Sequence, residues 1–180
     1  MSELFIELFS EEVPAKLQIK AREQLKEILS NFFEQHGVKY KGEIRIFSTP
    51  NRIAINVKGL PKEVLFKSKE VKGPIINAPD KALDGFLNSN QIKKNKIYKK
   101  KTEKGEFYFY KRPQKKISLY NMLRENLPHI LFKITWEKSM KWGEHTLLWG
   151  RPLKSILSIF DGKKLEFDFK HLKSSKLTFI

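Results

Sequence analysis

Three tryptophans, Trp136, Trp142 and Trp149, fall in one 14-residue window, interleaved with Lys138, Lys141 and Gly143 and closed by Arg151-Pro152. An indole buries much apolar surface, carries one N–H donor and offers a flat ring on which a base can stack. The window therefore reads in two ways. It is a packed corner of the core with its lysines pointing outward, or a stacking surface with Lys138, Lys141 and Arg151 as phosphate contacts.

A second concentration of chemistry lies at residues 91–116, where ten Lys and one Arg stand against only Glu103 and Glu106. Ile97 to Lys101 and Glu106 to Tyr110 flank Glu103-Lys104-Gly105, the signature of a hairpin. Strand alternation puts Phe107 and Phe109 on one face, Tyr108 and Tyr110 on the other. With Lys99, Lys100 and Lys101 opposite, open-face tyrosines could stack bases while lysines hold phosphates. The alternative is a solvated edge hairpin whose lysines discourage edge-to-edge pairing. Arg52, at the tip of an earlier hairpin, suits a phosphate or a neighbouring carboxylate equally.

No set of residues nominates a catalytic centre or a metal site. Glu11 and Glu12 are adjacent, so they point in different directions, and acids before a helix are common. His36, His129, His145 and His171 are far apart, with no partner at metal-ligand spacing. Ser139 and Ser155 lack a nucleophile-elbow context, and neither the P-loop nor the dinucleotide glycine pattern occurs.

The 180 residues carry a net charge of +16, a field that favours polyanions, nucleic acid first among them. Lysine outnumbers arginine 30 to 6, as an AT-rich coding sequence would produce, but that bias does not account for the shortage of acids. An apolar fraction of 40% with 14 Phe fits a folded chain. Cysteine is absent, which excludes disulfides and thiolate metal sites. No 18-residue apolar run exists, so no membrane span is expected.

The elements that must position these groups read as an α+β fold of antiparallel hairpins packed with a few helices. Leu4 to Phe9 reads as a buried strand, followed by Glu11-Glu12 and Pro14 at a helix start. Leu17, Ala21, Leu25, Ile28, Leu29 and Phe32 recur at helical spacing until Gly37. Glu43 to Phe47 and Arg52 to Val57 form a hairpin, and Val64 to Val71 a third extended segment. A short helix after Pro79 carries Ala82, Leu83, Phe86 and Leu87 on one face. Ser118 to Ile134 is helical, with Pro128 expected to kink or split it. Leu153 to Phe160 is a strand, and Asp161-Gly162 turns it back into Leu165 to Phe169. Lys72-Gly73-Pro74 predicts a boundary between sub-domains 1–74 and 75–180, the second truncated at its C-terminal end, since Leu177 to Ile180 closes mid-run.

Several stretches, in order, resemble the N-terminal part of the β subunit of bacterial tetrameric glycyl-tRNA synthetase. Leu4-Phe5-Ile6-Glu7 with Glu11-Glu12-Val13-Pro14-Ala15 is similar to that family's Leu-Leu-x-Glu-Ile-Gly-Thr-Glu-Glu-Leu-Pro-Ala. Phe47-Ser48-Thr49-Pro50-Asn51-Arg52-Ile53-Ala54 resembles its Phe-Ala-Thr-Pro-Arg-Arg-Leu-Ala. Lys138-Ser139-Met140-Lys141-Trp142-Gly143 and Arg151-Pro152 resemble Lys-Ser-Met-Arg-Trp-Gly and Arg-Pro-Ile-Arg-Trp. Phe9-Ser10 stands where the family has Gly-Thr, Asn51 where it has Arg, and Lys154-Ser155 where it has Arg-Trp. The resemblance implies a cytoplasmic, heterotetrameric glycine–tRNA ligase that uses ATP with Mg. The catalytic core would lie in the α subunit, with tRNA recognition and support in β. It implies as partners the α subunit, tRNA for glycine and the remainder of β, with no membrane and no cofactor bound by this segment. The alternatives are a purely structural interaction module and a stand-alone basic RNA-binding domain.

Overall fold

A computed structural model of the chain describes residues 1–66 and 68–179. In chain order the elements are β1 (Ser2–Ser10), α1 (Ala15–Gln35), β2 (Ile44–Thr49), β3 (Arg52–Leu60), β4 (Glu63–Phe66) and β5 (Lys69–Ile75). There follow α2 (Asp80–Asn90), β6 (Ile97–Thr102), β7 (Gly105–Arg112), β8 (Lys115–Ser118) and α3 (Leu119–Phe132). The chain ends with β9 (Leu153–Phe160), β10 (Lys163–Lys164), β11 (Asp168–Phe169) and β12 (Leu172–Ser175). It is an α+β fold, as the pattern of apolar residues predicts.

Two compact units are present: residues 1–64 with 117–180, and residues 65–116. The first is built on β1, whose alternation sends Leu4, Ile6 and Leu8 into the core and Phe5, Glu7 and Phe9 to the opposite face. β1 pairs antiparallel with β3 on one side and β9 on the other, and β3 pairs with β2. The resulting order β9-β1-β3-β2, with α1 after β1 and α3 before β9, is the split βαβ arrangement. β12 adds to β9 in parallel, and β11 pairs with β12. α1 buries Leu17, Ala21, Leu25, Leu29, Phe32 and Phe33, and α3 buries Leu119, Met122, Leu123, Leu127, Ile130 and Leu131. These stripes recur at three and four residues, the spacing that places them on one side of each helix.

The second unit is a three-stranded sheet of order β5-β7-β6 with α2. The chain enters and leaves it through β4 and β8, which form a two-stranded sheet. This corrects the division expected at residues 74 and 75. Lys72-Gly73-Pro74 lies inside β5, where the pairing with β7 shifts register between Lys72 and Ile75. Gly followed by Pro here makes a bulge within a strand, not a boundary. The second unit is an insertion, and sequence order hides an insertion because its two ends are far apart in the chain.

Other expectations are also revised. Glu11 and Glu12 stand ahead of α1, outside its first turn, because Pro14 takes the position before the helix. Pro128 does not split the helix, which runs unbroken from Leu119 to Phe132. The carbonyl it leaves unbonded belongs to Arg124, on the exposed side where water can satisfy it. Val64 to Val71 takes in the end of β4 and the start of β5, with Lys67 outside the described residues. Beyond the turn at Asp161 (φ +52) and Gly162 (φ +74) only Lys163–Lys164 returns along β9, and Asp168–Phe169 pairs with β12 instead. Among the described residues no helix is long and apolar enough to cross a membrane.

Candidate nucleic-acid interface

Most of the chain's net positive charge lies in the second unit. Residues 65–116 hold fifteen Lys and Arg against five Asp and Glu, a net of +10 of the chain's +16. β6 and β7 pair with Tyr98 opposite Phe109, Lys99 opposite Tyr108 and Lys100 opposite Phe107. β5 adds Lys72 opposite Phe109 and Val71 opposite Tyr110. Tyr98, Lys100, Phe107, Phe109, Glu70 and Lys72 therefore share one face of the sheet, and Lys99, Lys101, Tyr108, Tyr110 and Val71 the other.

The second of these faces is the one α2 covers. A side chain at Gly73 would lie 3.0 Å from the ring of Phe86 on α2, and Arg112 lies 3.5 Å from Asn90 at the helix end. Tyr108 and Tyr110 are half-buried, as is Phe107 on the other face, so the helix and not exposure marks the tyrosine side. The expectation of tyrosines on the open face is thus overturned. The pairing of Phe107 with Phe109 was right, but the helix covers the tyrosine side. On the uncovered face Tyr98 stacks on Phe109 at 6.2 Å, Lys72 Nζ lies 3.5 Å above the ring of Phe107, and Lys100 Nζ lies 5.3 Å from that of Phe109. Glu70 accepts hydrogen bonds from Lys100 Nζ (2.7 Å) and from the Tyr98 hydroxyl (2.6 Å). Lys100, and after it Tyr98, holds the Glu70 carboxyl below the usual carboxylate range. The same bond to Glu70 pushes the Tyr98 phenol up. Of the three consecutive lysines, Lys100 is thus ion-paired while Lys99 and Lys101 extend from the edge strand into solvent.

In the first unit the tryptophan window resolves into two parts. Trp149 is buried, its ring 5.1 Å from Trp136 and edge-on to Phe169 at 5.8 Å. Met140 and Trp149 exchange backbone hydrogen bonds at 2.9 and 3.3 Å. The Trp136 ring lies against Gly150, and its indole N–H is buried without a partner among the described residues. This end is a packed corner. Lys138 and Lys141 are exposed, while Arg151 is half-buried and donates from Nη1 to the carbonyl of Gly150 (2.9 Å). Glu137 anchors the segment to α1 through Lys20, which together with Lys16 (3.7 Å) lowers its carboxyl pKa.

Trp142 belongs to the other end. His145 and His171 stack in parallel with ring centres 3.6 Å apart, and Trp142 meets His171 edge-on at 5.6 Å. Burial first, and then the charge of His145, pushes the His171 imidazole below its usual pKa. A depressed histidine takes up its proton more readily in the unfolded chain, so this stack loses stability as pH falls through the ordinary histidine range near 6.5 and below. The melting temperature is therefore expected to drop from pH 7.5 to 5.5 more steeply in the wild-type chain than in His171→Asn. Identical slopes in the two melts would remove the stack from the account.

Arg52 finds a carboxylate. Its Nε lies 3.5 Å from Glu7 Oε2, its guanidinium 4.6 Å over the ring of Phe9, and its Nη2 donates to the carbonyl of Phe179. Lys154 likewise meets Glu11 at 2.6 Å. The candidate contacts thus fall into three sets: Arg52 on the first unit's sheet, Lys138, Lys141 and Arg151 in the tryptophan window, and Lys99 to Lys101 in the second unit. Sequence reading missed Glu70, Lys72 and Tyr98, because Glu70 and Lys72 sit on a strand about 30 residues earlier in the chain than the Tyr98, Lys100 and Phe107 they meet. Spacing alone could have placed Tyr98 with Lys100.

By fold and charge the chain is an α+β protein in which a helix-backed split sheet carries a lysine-rich inserted sheet. It belongs to the glycyl-tRNA synthetase beta subunit family, whose pattern matches residues 4–180. It is 37% identical over 179 residues to the glycine–tRNA ligase beta subunit of Rickettsia conorii and 38% identical to that of Rickettsia bellii. Those matches take in 99% of this chain but 27% of each relative, so the chain spans about a quarter of their length. The motif series read from the sequence thus points to the family found.

Proposed function

We propose that this chain serves the ATP-dependent formation of glycyl-tRNA as part of a β subunit, its inserted unit tracking the tRNA backbone while the split-sheet unit packs on protein. The observation that carries the reading is the concentration of +10 in a 52-residue insertion within a member of a tRNA-ligase family. Polyanion binding needs such a local excess of cations. On the open face of the split sheet, by contrast, Arg52 is matched by Glu7, Lys58 by Glu3 at 3.9 Å and Arg45 by Glu43 at 3.5 Å. Matched charge with exposed Phe47 suits a protein surface such as the α subunit or the remainder of β. Lys138, Lys141 and Arg151 remain candidate phosphate contacts beside the tryptophan corner.

The paired strands β4 and β8 bring the ends of the insertion together, so residues 67–114 can be replaced by a two-residue turn. In the assembled α–β enzyme, that deletion is expected to lower kcat/KM for tRNA by at least tenfold while glycine-dependent ATP–pyrophosphate exchange is retained. Unchanged charging would overturn the reading.

A further inference from the structure

The uncovered face of the inserted sheet combines flat rings with cations in a way that backbone tracking alone does not require. Tyr98, Phe107 and Phe109 lie side by side on it, with Lys72 and Lys100 over the two phenylalanine rings and Ile75 beside them. Tyr98 is 37% exposed and Ile75 41%. Glu70 is the one acid among its strand positions, and it is held by Lys100 and Tyr98. We infer that this face is a stacking platform for unpaired nucleotides, with Phe107 and Tyr98 as the ring contacts and Lys72 as the phosphate contact, Lys100 staying paired with Glu70.

Binding proceeds by exchange. In the free protein the ammonium of Lys72 occupies the position over Phe107 that a base would take. An exposed cation–π contact is weak, and a phosphate is a stronger partner for the same ammonium. An arriving strand therefore draws the lysine off the ring and onto its backbone, and the ring becomes free to stack. Phe109, on the same face but only 8% exposed, packs against Tyr98 and does not itself meet a base. A duplex keeps its bases stacked on one another and offers only backbone, so the face selects single strands. Charge complementarity favours a polyanion over an apolar peptide here, since lysines border every ring. The inference rests on the reading of this unit as RNA-binding and goes beyond it in naming unpaired bases as the ligand.

The test uses the full chain and a fluorescein-labelled 12-nucleotide single-stranded RNA, with the same strand annealed to its complement for comparison. Phe107→Leu keeps apolar volume and removes the ring. It is expected to weaken single-strand binding roughly tenfold, as loss of one base–aromatic stack does, and to leave duplex binding unchanged. Phe107→Tyr restores the ring and should restore affinity, which separates stacking from a folding defect. The double variant Lys99→Gln, Lys101→Gln should weaken strand and duplex alike. If Phe107→Leu binds the single strand as the wild type does, or loses strand and duplex equally, the platform is overturned while backbone binding stands. If the wild-type chain binds neither RNA, both fall.

Discussion

Replacement of Gly150 by alanine is expected to destabilise the chain by about 3 kcal/mol, at the upper end of what overpacking a core costs. The added Cβ would lie 2.4 Å from Cε3 of Trp136, 2.7 Å from Cζ3 and 2.9 Å from Cδ2. Those are atoms of a rigid ring, and the ring cannot retreat because Trp149 backs it at 5.1 Å and is itself wedged against Phe169. The backbone at Gly150 would have to move instead, and Arg151-Pro152 leads directly into β9, next to the central strand of the sheet. For a chain of this length the melting temperature should fall by about 10 °C. Gly85→Ala supplies the internal comparison. Gly85 lies inside α2 with nothing within 4 Å of its added Cβ, so there alanine should stabilise by roughly 0.5–1 kcal/mol through helix propensity. Thermal melts of the two variants should shift in opposite directions. A Gly150→Ala melt within 2 °C of the wild type would mean that Trp136 does not pack on Gly150.

The contrast between those two glycines shows what a sequence can disclose. Periodicity revealed β1, α1 and α3 because each buries one face, and burial writes its period into the chain. It could not show that the second unit is an insertion, since the pairing of β4 with β8 joins residues some 50 apart. Turn chemistry at Asp161-Gly162 was legible, yet the path beyond it was not. Phe167 and Phe169 alternate like a strand but are buried beside the tryptophan corner, with Ser174 Oγ bonding the backbone of Leu165 and Phe167 at 2.8 Å. The candidate site was half legible for the same reason. Alternation correctly separated phenylalanines from tyrosines on β7, but which side faces solvent is decided by α2, a helix whose sequence carries only a weak apolar stripe. Of its four expected contact residues Leu83 alone is fully buried, and Ala82 is exposed. Ion pairing is a further limit. Sequence left Arg52 between a phosphate and a carboxylate and gave Lys100 no partner, and the fold holds them to Glu7 and Glu70.

That distinction between free and paired cations decides the other large effect. Lys93, Lys94, Lys96, Lys99 and Lys101 are exposed and make no ion pair among the described residues, whereas Lys100 is bound to Glu70. A cation already matched by a carboxylate releases few counterions on meeting a phosphate, and a free one releases nearly its full share. Replacing the five free lysines by glutamine should therefore cut affinity for tRNA roughly 10³-fold at 0.1 M salt, and flatten the dependence of log K on log salt by about 0.7–0.9 for each lysine that sat on a phosphate. Lys100→Gln should flatten the slope less than any of the five does singly, yet still weaken binding, because it leaves the Glu70 carboxylate uncompensated on the open face. Filter binding of tRNA across 50–400 mM salt reads both quantities. A five-lysine variant with an unaltered slope and native melting temperature would take the inserted unit out of RNA contact and leave it a structural module of the subunit. Equal slopes for Lys100→Gln and Lys99→Gln would instead show that the Glu70 pair opens before the RNA arrives, so that paired and free lysines act alike.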